Sequence, residues 1–202
     1  MPFNIAFILF PDFEELDFAG PFEVLGAAAK HIDPDWRAYT VAHERLVRGV
    51  NGLTVQADYL FSDAPKADLI LVPGGFGTRA GADDAELIDY IKRAGESAQY
   101  VTSVCTGAFL LHKAGFLQGK RATTHWGQRD ELQALGGVEV VEERWVHDGK
   151  VITSAGVSAG IDMALYLLGV LKSPEIARTL QRGIEYDPAP PYADVEPLPI
   201  TT

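Results

Sequence analysis

Three short segments hold residue types that can do chemistry: Glu14-Glu-Leu-Asp17, Pro73-Gly-Gly75 and Cys105-Thr-Gly107. Cys105 stands between the apolar run Tyr100–Val104 and a helical stretch. A thiol so placed faces the unpaired N–H groups and the positive end of a helix, which favour a thiolate nucleophile. A cysteine can also be an inert core residue, and the strand–Cys–helix placement is what speaks for chemistry here. Gly74 and Gly75 let backbone pass close to a ligand and offer N–H donors to a developing negative charge, with Gly75 the preferred donor and the Thr106 N–H a second. Pro-Gly-Gly taken alone is also an ordinary turn. Asp17 is a candidate general acid, because a carboxyl beside a thiol shares a proton with it and titrates as part of a pair. The same spacing fits Asp17 as a helix N-cap. Glu14 and Glu15 read as solvated.

Of the five histidines His125, in Thr123-Thr-His-Trp126, is the best placed, although a lone His after a strand more often has a satisfied structural role, and His31, His43, His112 and His147 show no partner pattern. No two histidines have metal-ligand spacing, and one cysteine with scattered carboxylates defines no zinc site. Gly74-Gly75-Phe-Gly77 matches neither the dinucleotide nor the P-loop spacing. No metal, nucleotide or other cofactor is expected.

The elements that must position these residues alternate along the chain. Ile5–Phe10 is an apolar strand, followed by a helix over Phe22–Lys30 with Pro21 presetting its first turn. Arg37–Ala42 is a second apolar run, and Asn51-Gly52 joins Leu46–Val50 to Leu53–Ala57 as a hairpin. Asp68–Val72 is a strand ending at Pro73-Gly74-Gly75, and Leu87, Ile88, Ile91 and Ala94 mark a helix within Asp83–Ala98. Tyr100–Val104 leads through Cys105 into a helix ending near Gly115. A short helix over Asp130–Leu135 and a hairpin at Asp148-Gly149 follow. The last helices are Ala159–Leu171, apolar on most sides, and Pro174–Tyr186, capped by Ser173. Crevice chemistry in such a fold collects at the carboxyl ends of the strands, where all three segments lie.

At 202 residues the chain is long enough for one α/β domain over 1–186 with a Pro-rich tail over 187–202, whose five prolines at 188, 190, 191, 197 and 199 favour an extended surface segment. Hydrophobic residues make up 47% and charged residues 22%, the balance of a globular protein with a sizeable core. The net charge of −11 repels phosphate backbones and anionic lipid surfaces, so no nucleic acid or membrane partner is expected. One cysteine excludes an intrachain disulfide, no basic residue precedes Lys30, and the apolar stretch Val151–Leu171 is broken by Ser154, Gly156, Ser158, Gly160 and Asp162. A cytoplasmic protein without a membrane span is the expectation.

The chain resembles the ThiJ/PfpI superfamily, of class I glutamine amidotransferase-like type, and within it the isonitrile hydratases. The resemblance covers nearly the whole chain. It rests on Phe10-Pro11, Leu16-Asp-Phe-Ala-Gly-Pro21, Val72-Pro-Gly-Gly75, Ser103-Val-Cys-Thr-Gly107, Gly119-Lys-Arg-Ala-Thr-Thr-His-Trp126, Ala155-Gly-Val-Ser-Ala-Gly-Ile-Asp162 and Glu185-Tyr-Asp-Pro-Ala-Pro-Pro191. It implies a flavodoxin-like three-layer sandwich, with a mostly parallel sheet, helices on both faces and small antiparallel hairpins. It also implies a homodimer and a strained cysteine turn. Carried over by residue, it makes Cys105 the nucleophile, Asp17 the general acid and base, and Thr106 a supporting catalytic residue. The implied reaction adds water to a small-molecule isonitrile through a thioimidate and gives an N-substituted formamide, with Trp126 or Phe76 as candidates to line the site for its R group. Sensor domains of AraC-type regulators share most of these segments, but no helix-turn-helix region or basic face is present here. Glyoxalase-like and protease members commonly carry His after the cysteine, where this chain has Thr106.

Overall fold

The structure is a computed structural model, and it describes residues 2–191, 193, 195 and 196. In chain order the elements are β1 (Phe3–Leu9), α1 (Glu15–His31), β2 (Trp36–Ala42), β3 (Leu46–Arg48), β4 (Thr54–Gln56), β5 (Tyr59–Leu60) and β6 (Leu69–Val72). Then come α2 (Gly77–Gly81), α3 (Ala85–Ser97), β7 (Tyr100–Val104), α4 (Gly107–Lys113) and β8 (Lys120–Ala122). A 3₁₀ turn over Trp126–Gln128 precedes α5 (Arg129–Ala134), β9 (Val138–Val140), β10 (Trp145–Asp148), β11 (Val151–Ser154), α6 (Ala159–Leu171) and α7 (Pro174–Gly183).

Seven strands form the main sheet in the order β10-β11-β7-β6-β1-β2-β5, parallel except for the β10–β11 hairpin. The path β1-α1-β2 runs toward one edge and β6-α3-β7 toward the other, so right-handed crossovers put α1 and α3 on opposite faces. The packing agrees: α1 lies on α6 and β2, whereas α3 and α4 lie on β6. A strand covered on both faces must be apolar throughout, and Ile5 to Leu9 of the central β1 are fully buried. Phe7, Phe13, Phe18 and Phe22 fill the space between β1 and α1, their neighbouring ring centroids 5.1–5.9 Å apart. This is the expected flavodoxin-like sandwich, with the small antiparallel pair β3–β4 beside it.

Four local expectations need correction. The first helix starts at Glu15, not Phe22, so Pro21 lies inside it and Asp17 sits in its first turn with Glu14 as the capping residue. Acidic Glu15 and Asp17 suit the positive end of that helix, and Pro21, lacking an N–H, leaves the Asp17 carbonyl without its helical partner. In the β3–β4 loop only Gly52 takes a positive φ (100°), so the five-residue connection Gly49–Leu53 replaces the tight Asn-Gly turn. The second hairpin turns on Gly149-Lys150, one residue later than read, because Asp148 pairs with Val151. Finally, α7 stops at Gly183, and Pro188 to Pro191 form no helix or strand; the prolines at 197 and 199 lie outside the described residues. Among the described residues no helix is long and apolar enough to cross a membrane.

Candidate active site

The strand order reverses at β1 and β6, since the chain leaves β1 toward β2 and returns to lay β6 on its other side. Ligand crevices open at such a point, outside the carboxyl ends of the strands. Three connections meet there: Phe10–Glu14 after β1, Pro73–Phe76 after β6, and Cys105-Thr106 after β7.

Cys105 is the corner residue between β7 and α4, held at φ 56°, a left-handed conformation rare for a residue with a side chain. Its surroundings hold it there. Its N–H reaches the Ser154 and Ala155 carbonyls (3.1 and 3.2 Å), and the buried Thr124 hydroxyl donates to its carbonyl at 2.8 Å. Gly107 opens α4 flush against β6, where an added Cβ would lie 2.3 Å from the Val72 carbonyl oxygen, so nothing larger fits. Such maintained strain is a mark of functional turns.

Asp17 is completely buried. Its Oδ2 accepts the Gly74 N–H at 2.8 Å, while Oδ1 has no well-formed hydrogen bond and the carboxyl couples to the Cys105 thiol. The Gly75 N–H goes to the Thr106 hydroxyl oxygen at 3.0 Å, and that hydroxyl reaches back to the Gly75 carbonyl at 3.3 Å. Neither glycine therefore has a free N–H for a substrate anion, contrary to the expected donor role of Gly75 and Gly74. These two N–H groups instead fasten Asp17 and Thr106. The Thr106 and Val157 N–H groups point at the Cys105 sulfur, so the second donor expected at Thr106 serves the thiol.

The expectation of a ready thiolate also needs correction. Burial first, and the Asp17 charge second, push the Cys105 thiol up to about 12, outweighing the two N–H donors. Burial likewise raises Asp17 to about 7, helped by the charge of Glu14 and opposed by the Gly74 N–H and Cys105. Asp17 can thus take the thiol proton as the sulfur attacks and return it near neutral pH.

Cys105 opens into a pocket of about 320 Å³ whose walls include Glu14, Phe76, Arg79, His125, Gln128 and Val157. That volume suits a small molecule. Phe76 lines it as expected; Trp126 does not, and its ring lies tilted beside that of His125, the centroids 5.4 Å apart. Glu14 was read as solvated but is half-buried on this wall, with its carboxyl raised by burial and by Glu15. Glu15 is also engaged, accepting the Asn51 N–H at 2.6 Å and the Asn51 amide at 2.7 Å. The His125 ring is held below its usual titration range by burial and by Arg129, and its Nδ1 accepts the Gly127 N–H at 3.2 Å. The sequence reading missed Arg79, Gln128 and Val157. Val157 takes φ 43° within a Gly-Val-Ser segment that carried no catalytic residue type to draw attention.

Fold and site together define an α/β sandwich with a strained cysteine corner at its topological switch point, backed by a buried carboxyl. The chain belongs to the DJ-1/PfpI family, whose model matches residues 4–169. Among its relatives, the isonitrile hydratase of Pseudomonas putida is 41% identical over 98% of this chain and 84% of that protein. The HTH-type transcriptional regulator CdhR of Pseudomonas aeruginosa is 28% identical over 97% of this chain, which spans 59% of that regulator. In three dimensions, the crystal structure of a ThiJ/PfpI family protein from Pseudomonas syringae superposes with a TM-score of 0.89 at 35% identity, over 96% of this chain and 78% of that one.

Proposed function

We propose that this protein is a cofactor-independent isonitrile hydratase that uses Cys105 as nucleophile, Asp17 as general acid and base, and Thr106 as a supporting catalytic residue at the Cys105 corner. The observation that carries this reading is the strained Cys105 corner at the floor of a small pocket, with the fully buried Asp17 carboxyl coupled to its thiol. It is supported by the 41% identity to an isonitrile hydratase. The sulfur attacks the terminal carbon of R–N≡C while its proton passes to Asp17, and Asp17 delivers that proton to the same carbon, giving the thioimidate R–N=CH–S–Cys105. Water then releases R–NH–CHO and restores the pair. The substrate carries no net charge, so the pocket need not supply an anion site. With the reading go a cytoplasmic location, expected from the single cysteine and the N-terminal sequence, and a homodimer, implied by the resemblance.

Steady-state formation of the N-substituted formamide from aliphatic and aryl isonitriles tests the proposal, with Cys105→Ala in parallel. Turnover lost in Cys105→Ala supports it. Turnover of small aldehydes alone moves the chain to the carbonyl-directed branch of the family. Ligand binding without turnover moves it to the sensor reading, which the likeness to a regulator makes the specific alternative. A redox sensor is the less favoured form of that alternative, since a thiol raised by burial presents little thiolate to peroxide.

The same assay carries a pH prediction. The reactive pair holds one proton, and below about pH 7 Asp17 binds a second. On the acid side kcat/KM is expected to fall about tenfold per pH unit, with a plateau above about 7. A pH-independent kcat/KM between 5 and 8 would remove Asp17 from the proton path.

A further inference from the structure

The thioimidate must be hydrolysed, and the buried Asp17 is poorly placed to do it. Asp17 lies below Cys105 with no exposed surface, so a water molecule attacking from the open pocket does not reach its carboxyl. The remaining polar groups of the pocket can be taken in turn. The Thr106 hydroxyl is taken up by Gly75 and the Cys105 sulfur and is no base. His125 accepts the Gly127 N–H at Nδ1, so when neutral it carries its proton on Nε2 and can only donate there. Arg79 and Gln128 are no bases, and they are joined to each other at 3.2 Å. Glu14 is the acid that is left. Its main chain is pinned by its N–H to the Gly74 carbonyl at 2.8 Å, on the loop that also holds Asp17. Its half-buried carboxyl shares the pocket wall with Cys105 and makes no hydrogen bond or ion pair among the described residues.

We infer that Glu14 is a second catalytic acid–base group, which activates the water that hydrolyses the thioimidate. The inference rests on the hydratase reading above. As the water oxygen bonds to the thioimidate carbon, the Glu14 carboxylate takes one water proton and passes it to the nitrogen, giving R–NH–CH(OH)–S–Cys105. The Glu14 carboxylate then takes the hydroxyl proton as the C–S bond breaks. The products are R–NH–CHO, protonated Glu14 and the Cys105 thiolate, and transfer of that proton to the sulfur restores the thiol and the Asp17 carboxylate that began the cycle. Burial and the neighbouring Glu15 hold the Glu14 carboxyl above the ordinary range, which strengthens it as a base.

The two half-reactions would be separated by Glu14→Gln. Its kcat is expected to fall about 10²- to 10³-fold while kcat/KM changes little, because thioimidate formation precedes the impaired step. Acid-quenched Glu14→Gln taken during turnover should carry the mass of one isonitrile on Cys105, an adduct absent from the wild type. Glu14→Ala should accumulate the same adduct, and added formate should speed its decay. Wild-type kcat in Glu14→Gln, or slow turnover with no adduct and no rescue by formate, overturns the role of Glu14. If the wild type makes no formamide, the hydratase reading itself falls, and this inference with it.

Discussion

Asp17→Asn is expected to abolish turnover and, at the same time, to stabilise the protein. The amide can still accept the Gly74 N–H, so the loop geometry is kept, but it can neither take the thiol proton nor return it to carbon. Removing a positioned acid–base group costs about 10²- to 10⁴-fold in rate. The stability change follows from linkage. Asp17 rises from 3.8 in the unfolded chain to about 7 when folded, so the native state binds the proton more tightly. Below pH 3.8 both states are protonated and burial of this group is free of charge cost. Between 3.8 and about 7 the unfolded state ionises first, and the native state loses stability progressively as pH rises. Above about 7 the full cost, about 4 kcal/mol for a shift of that size, is present. Urea unfolding at pH 8 should therefore show Asp17→Asn more stable than wild type by several kcal/mol, with the difference shrinking to near zero at pH 4. A variant that is less stable than wild type at pH 8 would show that Asp17 serves the fold and not the chemistry.

Gly75→Ala is expected to unfold much of what that loop organises. Gly75 sits at φ 119°, and an added Cβ would lie 2.4 Å from both the Asp12 carbonyl oxygen and the Glu14 nitrogen. Both are backbone atoms of the loop that carries Glu14, so no side-chain rotation relieves the contact. Strain at such a φ costs about 1–3 kcal/mol and overpacking about as much again. Gly115→Ala separates the two effects, since Gly115 has φ 89° but open space around it. We expect Gly115→Ala to lose about 1 kcal/mol and Gly75→Ala roughly 2–6 kcal/mol in urea unfolding. Gly75→Ala should also slow formamide release, because Glu14 must move. Equal stability losses in the two variants would mean that the Gly75 loop yields without cost.

What could be read from sequence is what depends on local pattern. The β7–Cys105–α4 corner is legible because an apolar run, a thiol and a glycine follow one another within eight residues, and the structure finds the strand at the expected residues. The bounds of α6 are legible for the same reason, as is the Ser173 cap of α7, whose hydroxyl accepts the Ile176 N–H at 3.3 Å. The start of α1 is not, because a proline reads as a first-turn residue unless the acidic turn before it is credited as helix. Glu14 escaped because the neighbours that half-bury a glutamate lie far along the chain. The amino-acid sequence by itself determined the alternation of strands and helices and the three loops that meet at one sheet edge, since periodicity and crossover handedness act over short stretches. Only the tertiary structure decided how those groups behave. Asp17 is buried under Gly74, 57 positions away, and Thr106 is tied to Gly75, 31 positions away. Desolvation and hydrogen bonding are sums over such distant neighbours, and here they turn an expected thiolate into a buried thiol that shares its proton with a carboxyl.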